Sequence, residues 1–146
     1  MFELCTMHAS FVVWKKKGIL FRGKSGSGKS ELALKFIENK NAVLVADDIV
    51  LLENRKNKLF GKVPENIAGL LEIRNVGISN YKYIPEAEIS LLVNLVQTKQ
   101  NLERFPKNKS ENILGVEIPA IDLYADDMTI VEKIIVKLKN NLINNN

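Results

Sequence analysis

Phe21-Arg22-Gly23-Lys24-Ser25-Gly26-Ser27-Gly28-Lys29-Ser30 is the stretch on which the reading of this chain turns. Gly23 to Ser30 match the phosphate-binding loop pattern G-x-x-x-x-G-K-[ST]. The flanks agree with it. Gly18-Ile19-Leu20-Phe21-Arg22 reads as a short apolar strand, and Glu31 to Ile37 as a helix with apolar residues at 32, 33, 36 and 37. In such a loop the glycines let successive N–H groups turn inward on one anion, and the helix N-terminus adds partial positive charge there. The candidate phosphate-binding residues are therefore Gly23, Lys24, Ser25, Gly26, Ser27, Gly28, Lys29 and Ser30. Lys29 offers a mobile charge to the outer phosphates, and Ser30 a hydroxyl to magnesium. A plain flexible turn would need neither the terminal Lys-Ser nor the apolar strand before it.

Composition narrows the class. The chain has 146 residues, 46% hydrophobic and 26% charged, which suits a single globular domain spanning 1–146 with a real core. A net charge of +4 fits phosphate ligands, but no basic stripe with interleaved aromatics points to nucleic acid. Lys15-Lys16-Lys17 precedes Gly18 and reads as a solvated hairpin turn. Cys5 is the one cysteine, so no internal disulfide forms, and a reducing compartment is expected. Neither a leader pattern nor an apolar stretch near the ~20 residues of a membrane span is evident. The cytoplasm is the expected location, with no membrane partner.

Along the chain, Glu3 to His8 and Ser10 to Trp14 read as one bent strand, and Gly18 to Arg22 returns against it. The loop helix ends near Glu38 to Asn41. Ala42 to Ala46 is a short buried strand closed by Asp47-Asp48. Ile49 to Glu53 and Leu59 to Val63 form the next hairpin around the polar Asn54 to Lys58. A short helix is expected over Pro64 to Leu71, with Pro64 at its start. Glu72 to Ser79 is extended or looped, and Tyr81 to Pro85 is loop. Ile89 to Val96 is a nearly continuous apolar run, expected at the centre of the sheet. Thr98 to Asn112 is polar and reads as a mobile loop. Val116 to Tyr124 is a last strand around Pro119. Asp126 or Asp127 caps a final helix whose apolar face is Val131, Ile134, Ile135, Leu138 and Leu142, and Asn144 to Asn146 fray.

Two further groups can carry chemistry. A carboxylate of Asp47-Asp48, at the end of the strand after the loop helix, can reach the γ-phosphate directly or through magnesium. Neighbours on an extended chain point to opposite sides, so one Asp is expected to face the site. Glu72 and Arg74 share a face of extended chain and are compatible with metal and phosphoryl contacts or with a surface ion pair. His8, the single histidine, reads alone as a structural strand residue, and Arg104 as surface.

The order of these segments resembles the catalytic domain of HPr kinase/phosphorylase, an enzyme that phosphorylates a serine of the phosphocarrier protein HPr. The resemblance rests on His8, Gly23 to Glu31, Val45-Ala46-Asp47-Asp48 and, above all, Leu70-Leu71-Glu72-Ile73-Arg74-Asn75-Val76-Gly77-Ile78. It continues loosely through Ile89 to Val96 and Leu102-Glu103-Arg104-Phe105. It implies an α/β fold: a P-loop-containing HPr kinase/PEP carboxykinase-like catalytic domain with a mostly β core and few helices. It also implies ATP and Mg2+ as cofactors, and HPr or an HPr-like carrier as partner. Residue by residue, it implies that Lys29 contacts the β/γ phosphates, Asp48 is the catalytic base, and Arg74, His8 and Arg104 complete the catalytic set. Ser30 and Glu72 become metal contacts; Asp47 joins them as a metal candidate from the reading of the acidic pair itself.

Departures from the family pattern shape the expectation. No counterpart of its N-terminal domain is recognised, and Asn75 replaces a glycine of the signature. Tyr124-Ala125-Asp126-Asp127-Met128-Thr129 stands where the family has a basic, glycine-containing loop tied to dephosphorylation. An acidic loop repels a phosphorylated partner, so kinase activity is expected over phosphorylase activity. The terminal helix is shorter than the family's, leaving a homo-oligomer as one option for assembly. The expected activity is that of an ATP- and Mg-dependent protein serine kinase regulating carbohydrate metabolism. A small-molecule kinase or NTPase with the same loop, or a non-catalytic ATP-binding sensor, is the alternative.

Overall fold

The computed structural model describes residues 4–139; Leu142 and Asn144 to Asn146 lie outside them. The chain runs β1 (Leu4–Trp14), β2 (Lys17–Arg22), α1 (Lys29–Lys40), β3 (Val43–Ala46), β4 (Ile49–Arg55) and β5 (Lys58–Lys62). There follow β6 (Leu70–Ile73), β7 (Gly77–Asn80), β8 (Glu86–Val96), β9 (Lys109–Ile113), β10 (Val116–Tyr124) and α2 (Ile130–Lys139). Strands dominate, and the described residues hold two α-helices, as the α/β class with a mostly β core requires.

Two long strands organise the sheet by changing partners halfway. The first half of β1, Leu4 to His8, pairs antiparallel with β4; the second half, from Ala9, pairs with β2 and β3. Likewise β8 pairs with β5 over Glu86 to Glu88, then runs parallel to β2 and β10. Strands β2, β1, β4, β5 and β8 thereby close into a ring, extended by β10 and β9 on one flank and by β3 on another. The bend in β1 expected at Ala9 is the point where it changes partner.

Alternation along the strands feeds two cores on opposite faces. Val12, Ile19, Phe21, Leu91 and Val93 meet Leu32, Ala33 and Phe36 of α1 and Ile130, Val131 and Ile134 of α2. Phe21 and Phe36 stack with ring centroids 5.7 Å apart. The other face gathers Phe11, Leu20, Val50, Leu52 and Leu92. Between Ile89 and Leu91 the register with β2 shifts by one residue, a bulge after which Leu91 falls in the first core although Ile89, two positions before it, lies in the second. Phe11 fits because two facing positions lack side chains: a Cβ at Gly61 would lie 2.6 Å from its ring, and one at Gly18 2.9 Å.

Two expectations change. The helix expected over Pro64 to Leu71 is only a 3-10 turn at Glu65–Ile67, because Gly69 turns the chain at φ 79° and Leu70 enters β6. The polar loop ends at Asn108: Lys109–Ile113 is an edge strand paired with β10, whose polar composition suits an edge. Glu72 to Ser79, expected extended or looped, is extended on both sides of a turn, within the Leu70 to Asn80 hairpin that forms a separate two-stranded sheet. Pro119 stays inside β10 because pairing with β8 begins one residue later, at Ala120. No helix among the described residues is long and apolar enough to cross a membrane.

Candidate active site

The phosphate-loop sequence joins β2 to α1 and is shaped as an open cradle. Gly26 and Gly28 take φ 79° and 103°, in the left-handed region where glycine is at ease, and a Cβ at either would meet nothing within 4 Å. No side chain caps the α1 N-terminus at Gly28, which leaves its first-turn N–H groups open to an anion. The Ser27 hydroxyl, buried in the loop, has no hydrogen-bond partner. Lys29 folds back over the loop, its Nζ donating to the Gly23 and Lys24 carbonyls at 2.9 and 3.0 Å. Open donors and one mobile ammonium suit a polyphosphate.

Arg22 anchors the strand beneath. Its guanidinium donates a two-pronged bond to Glu111 at 2.5 and 2.6 Å and a third bond to Asn94 at 2.8 Å. The arginine holds the Glu111 carboxyl below its ordinary range. A contact 89 residues away in sequence thus fixes the entry to the loop.

The two aspartates divide. Asp47 is buried, and its carboxylate accepts bonds from Ser10 Oγ at 2.5 Å and Ser30 Oγ at 2.9 and 3.0 Å. Burial pushes its carboxyl up, against the pull of those two hydroxyls. Asp48 takes φ 78°, a conformation Asp tolerates better than most residues, and turns outward beside the loop. Its Oδ1 lies 3.9 Å from His8 Nδ1, both side chains being largely exposed. Only Asp48 of the pair lines the cavity; Asp47 stands behind Ser30.

The β6–β7 hairpin covers the remaining side. Leu71 is buried and Ile73 packs partly on the helical core, so the alternate residues Glu72 and Arg74 face the cavity. The turn closes with the Val76 N–H donating to the Ile73 carbonyl at 3.0 Å. Asn75 sits there at φ 69°, which explains why an asparagine can replace the glycine of the signature. At the hairpin base, the Tyr81 hydroxyl donates to Glu38 of α1 at 2.8 Å.

Together these elements enclose a cavity of about 190 Å³ lined by Ser10, Lys29, Ser30, Asp48, Glu72 and Arg74 beside the loop glycines. Six sequence-nominated groups thus meet: the loop with Lys29 and Ser30, Asp47, Asp48, Glu72, Arg74 and His8. Arg104 does not join them. It lies in the exposed 97–108 loop, its guanidinium 5.5 Å from the Phe105 ring centroid. Sequence reasoning missed Ser10, whose partner Asp47 is 37 positions away. Asp127 proves to be internally paired: it accepts from the Thr129 N–H at 2.8 Å and forms an ion pair with Lys133, which holds its carboxyl down at about 2.

No cluster of three or more His, Cys, Asp or Glu side chains capable of holding a metal occurs among the described residues. Magnesium takes one or two protein oxygens and completes its shell with phosphates and water. Ser30 and Glu72, on either side of the cavity, are the residues that would hold it.

A family model described as the HPr serine kinase C-terminal domain matches residues 1–145. Over 128 residues the chain is 38% identical to the HPr kinase/phosphorylase of Mycoplasma mycoides subsp. mycoides, covering 80% of this chain and 41% of that protein. Over 108 residues it is 37% identical to the HPr kinase/phosphorylase of Mycoplasmopsis pulmonis, covering 69% and 35%. The chain therefore spans about two-fifths of the length of the curated relatives it matches. The solved structure of the Hpr(Ser) kinase/phosphatase from Coxiella burnetii superposes with a TM-score of 0.79 at 29% identity, covering 93% of this chain and 99% of that one. Fold, loop, signature hairpin and relatives agree: the chain belongs to the HPr serine kinase C-terminal domain family.

Proposed function

We propose that this domain transfers the γ-phosphoryl group of ATP, with magnesium, to a serine of HPr or an HPr-like carrier protein. The observation that carries this reading is the meeting of an open phosphate loop with Asp48, Glu72 and Arg74 around one cavity. A protein that only bound nucleotide would need the loop, but not an exposed carboxylate and an arginine opposite it.

In this reading Lys29 leaves the Gly23 and Lys24 carbonyls to meet the β- and γ-phosphates. The loop N–H groups and the α1 N-terminus hold the chain of phosphates. Magnesium, held by Ser30 and Glu72, would neutralise charge on the phosphates. Asp48 accepts the proton of the serine hydroxyl as its oxygen attacks the γ-phosphorus. The bond from that phosphorus to the β–γ bridging oxygen breaks, and ADP leaves. Arg74 faces the equatorial oxygens as charge builds on them. His8 beside Asp48 orients that carboxylate. A cytoplasmic setting and a role in controlling carbohydrate use follow from the acceptor.

The test is transfer of label from γ-labelled ATP to purified HPr in the presence of magnesium, with the labelled residue identified. Label on a serine supports the reading. Labelling of a metabolite hydroxyl but not HPr would place the domain among small-molecule kinases. Nucleotide binding without any transfer would make it a sensor.

A further inference from the structure

Ser10 is fully buried in β1 between Ala9 and Phe11, two equally buried apolar residues. A hydroxyl in such a place needs a partner. It has one: Oγ lies 2.5 Å from Asp47 Oδ1. An ionised carboxylate only accepts, so Ser10 donates, and the short distance is that of a charge-assisted bond. The same oxygen also takes the Ser30 hydroxyl at 2.9 Å, and Oδ2 takes it at 3.0 Å. The neighbouring backbone reinforces the grip, since the Ala9 N–H donates to the Asp48 carbonyl at 3.2 Å. Strand β1 thus holds both aspartates, one by side chain and one by main chain.

From this geometry we infer that Ser10 is a positioning residue for magnesium: it locks the Asp47 carboxylate so that Asp47 orients the Ser30 hydroxyl, with the Ser30 lone pairs turned toward the cavity. The inference rests on the magnesium–nucleotide reading of the site proposed above. Without Ser10, one oxygen of Asp47 loses a donor and the carboxylate can swing away from Ser30. Partners that orient a metal ligand typically affect metal affinity by about 10–100-fold. The loop backbone and Lys29, which grip the phosphates themselves, do not touch Ser10 through any of these bonds.

The experiment measures the affinity of a fluorescent ATP analogue with magnesium and with EDTA, for the unaltered chain and for Ser10→Ala, Ser10→Thr and Ser10→Val. Thr and Val have the same shape and differ by the hydroxyl, so their comparison holds even if the extra methyl disturbs packing. Binding with magnesium is expected to weaken about tenfold in Ser10→Ala and to stay unchanged in EDTA. Ser10→Thr should bind magnesium–ATP about tenfold more tightly than Ser10→Val, with the two alike in EDTA, and equal binding of the two with magnesium would overturn the inference. Equal losses with and without magnesium would overturn the inference, because they would mark Ser10 as a general support of the loop. So would an unchanged Ser10→Ala variant. If magnesium fails to strengthen binding even in the unaltered chain, the magnesium reading of the site falls first and takes this inference with it.

Discussion

The phosphate loop and the β6–β7 hairpin face each other across one cavity, yet they are built in different ways. The loop springs from β2, a strand paired on both sides, and runs into a helix whose Phe36 is buried against Phe21. The hairpin is a sheet of its own. Its hold on the body is the buried Leu71, the partly buried Ile73 and the Tyr81–Glu38 bond, while Val76 and Ile78 stand 80% and 70% exposed. In the proposed reading, the half that would grip phosphate is rooted in the core, and the half that would meet an acceptor is appended to it. Changes in the loop should therefore read out in nucleotide affinity, and changes in the hairpin in turnover.

The sharpest test of that division is Arg74→Ala. It should lower kcat about 10²–10³-fold, the scale for losing one donor to a transition-state oxygen, while magnesium–ATP affinity stays within a small factor. Lys29→Ala should do the reverse. Losing a charge-assisted contact, about 2 kcal/mol, weakens ATP binding roughly 30-fold in a titration. Unchanged affinity in that variant would break the assignment of the loop.

Stability should follow the same line. Gly61→Ala drives a Cβ to 2.6 Å from the Phe11 ring and should cost about 1–3 kcal/mol in urea unfolding. Ile78→Ser, on the exposed hairpin, should stay within about 0.5 kcal/mol. Tyr81→Phe removes the tie between hairpin and α1, and should cut kcat about two- to threefold with ATP affinity unchanged. An equal change in affinity would show that hairpin and loop are not separable.

The smallest effect concerns pH. Asp127 has its carboxyl held at about 2 by Lys133 and Thr129, below the ~3.9 of an unfolded chain. A depressed carboxylate stabilises the fold above its unfolded value and loses that contribution as pH falls through the folded one. The melting temperature of the unaltered chain should therefore exceed that of Asp127→Asn above about pH 4 and converge with it near pH 2.

How much the sequence revealed depended on distance along the chain. Gly23 to Ser30 was legible because loop, strand and helix are contiguous and each carries its own signal. Glu72-Ile73-Arg74 alternates as any half-exposed strand does, and only the surrounding Leu70 to Ile78 signature raised it above a surface ion pair. Ser10 was invisible: a serine in an apolar strand carries no mark of its bond to Asp47. Lys109 to Asn112 read as loop because these residues are wholly polar, and their pairing with β10 is a tertiary fact. The helix expected after Pro64 lost to the left-handed turn at Gly69, where the chain must reverse to begin the hairpin.

The central claim is that Asp48 takes the acceptor's proton at a site whose nucleotide grip does not depend on it. The most direct measurement is the single-turnover rate of phosphoserine formation on HPr at saturating magnesium–ATP, for the unaltered chain and for Asp48→Asn, with ATP affinity measured alongside. The account predicts a rate loss of about 10²–10⁴-fold with affinity essentially unchanged. Phosphoserine formed at an undiminished rate by Asp48→Asn would contradict it.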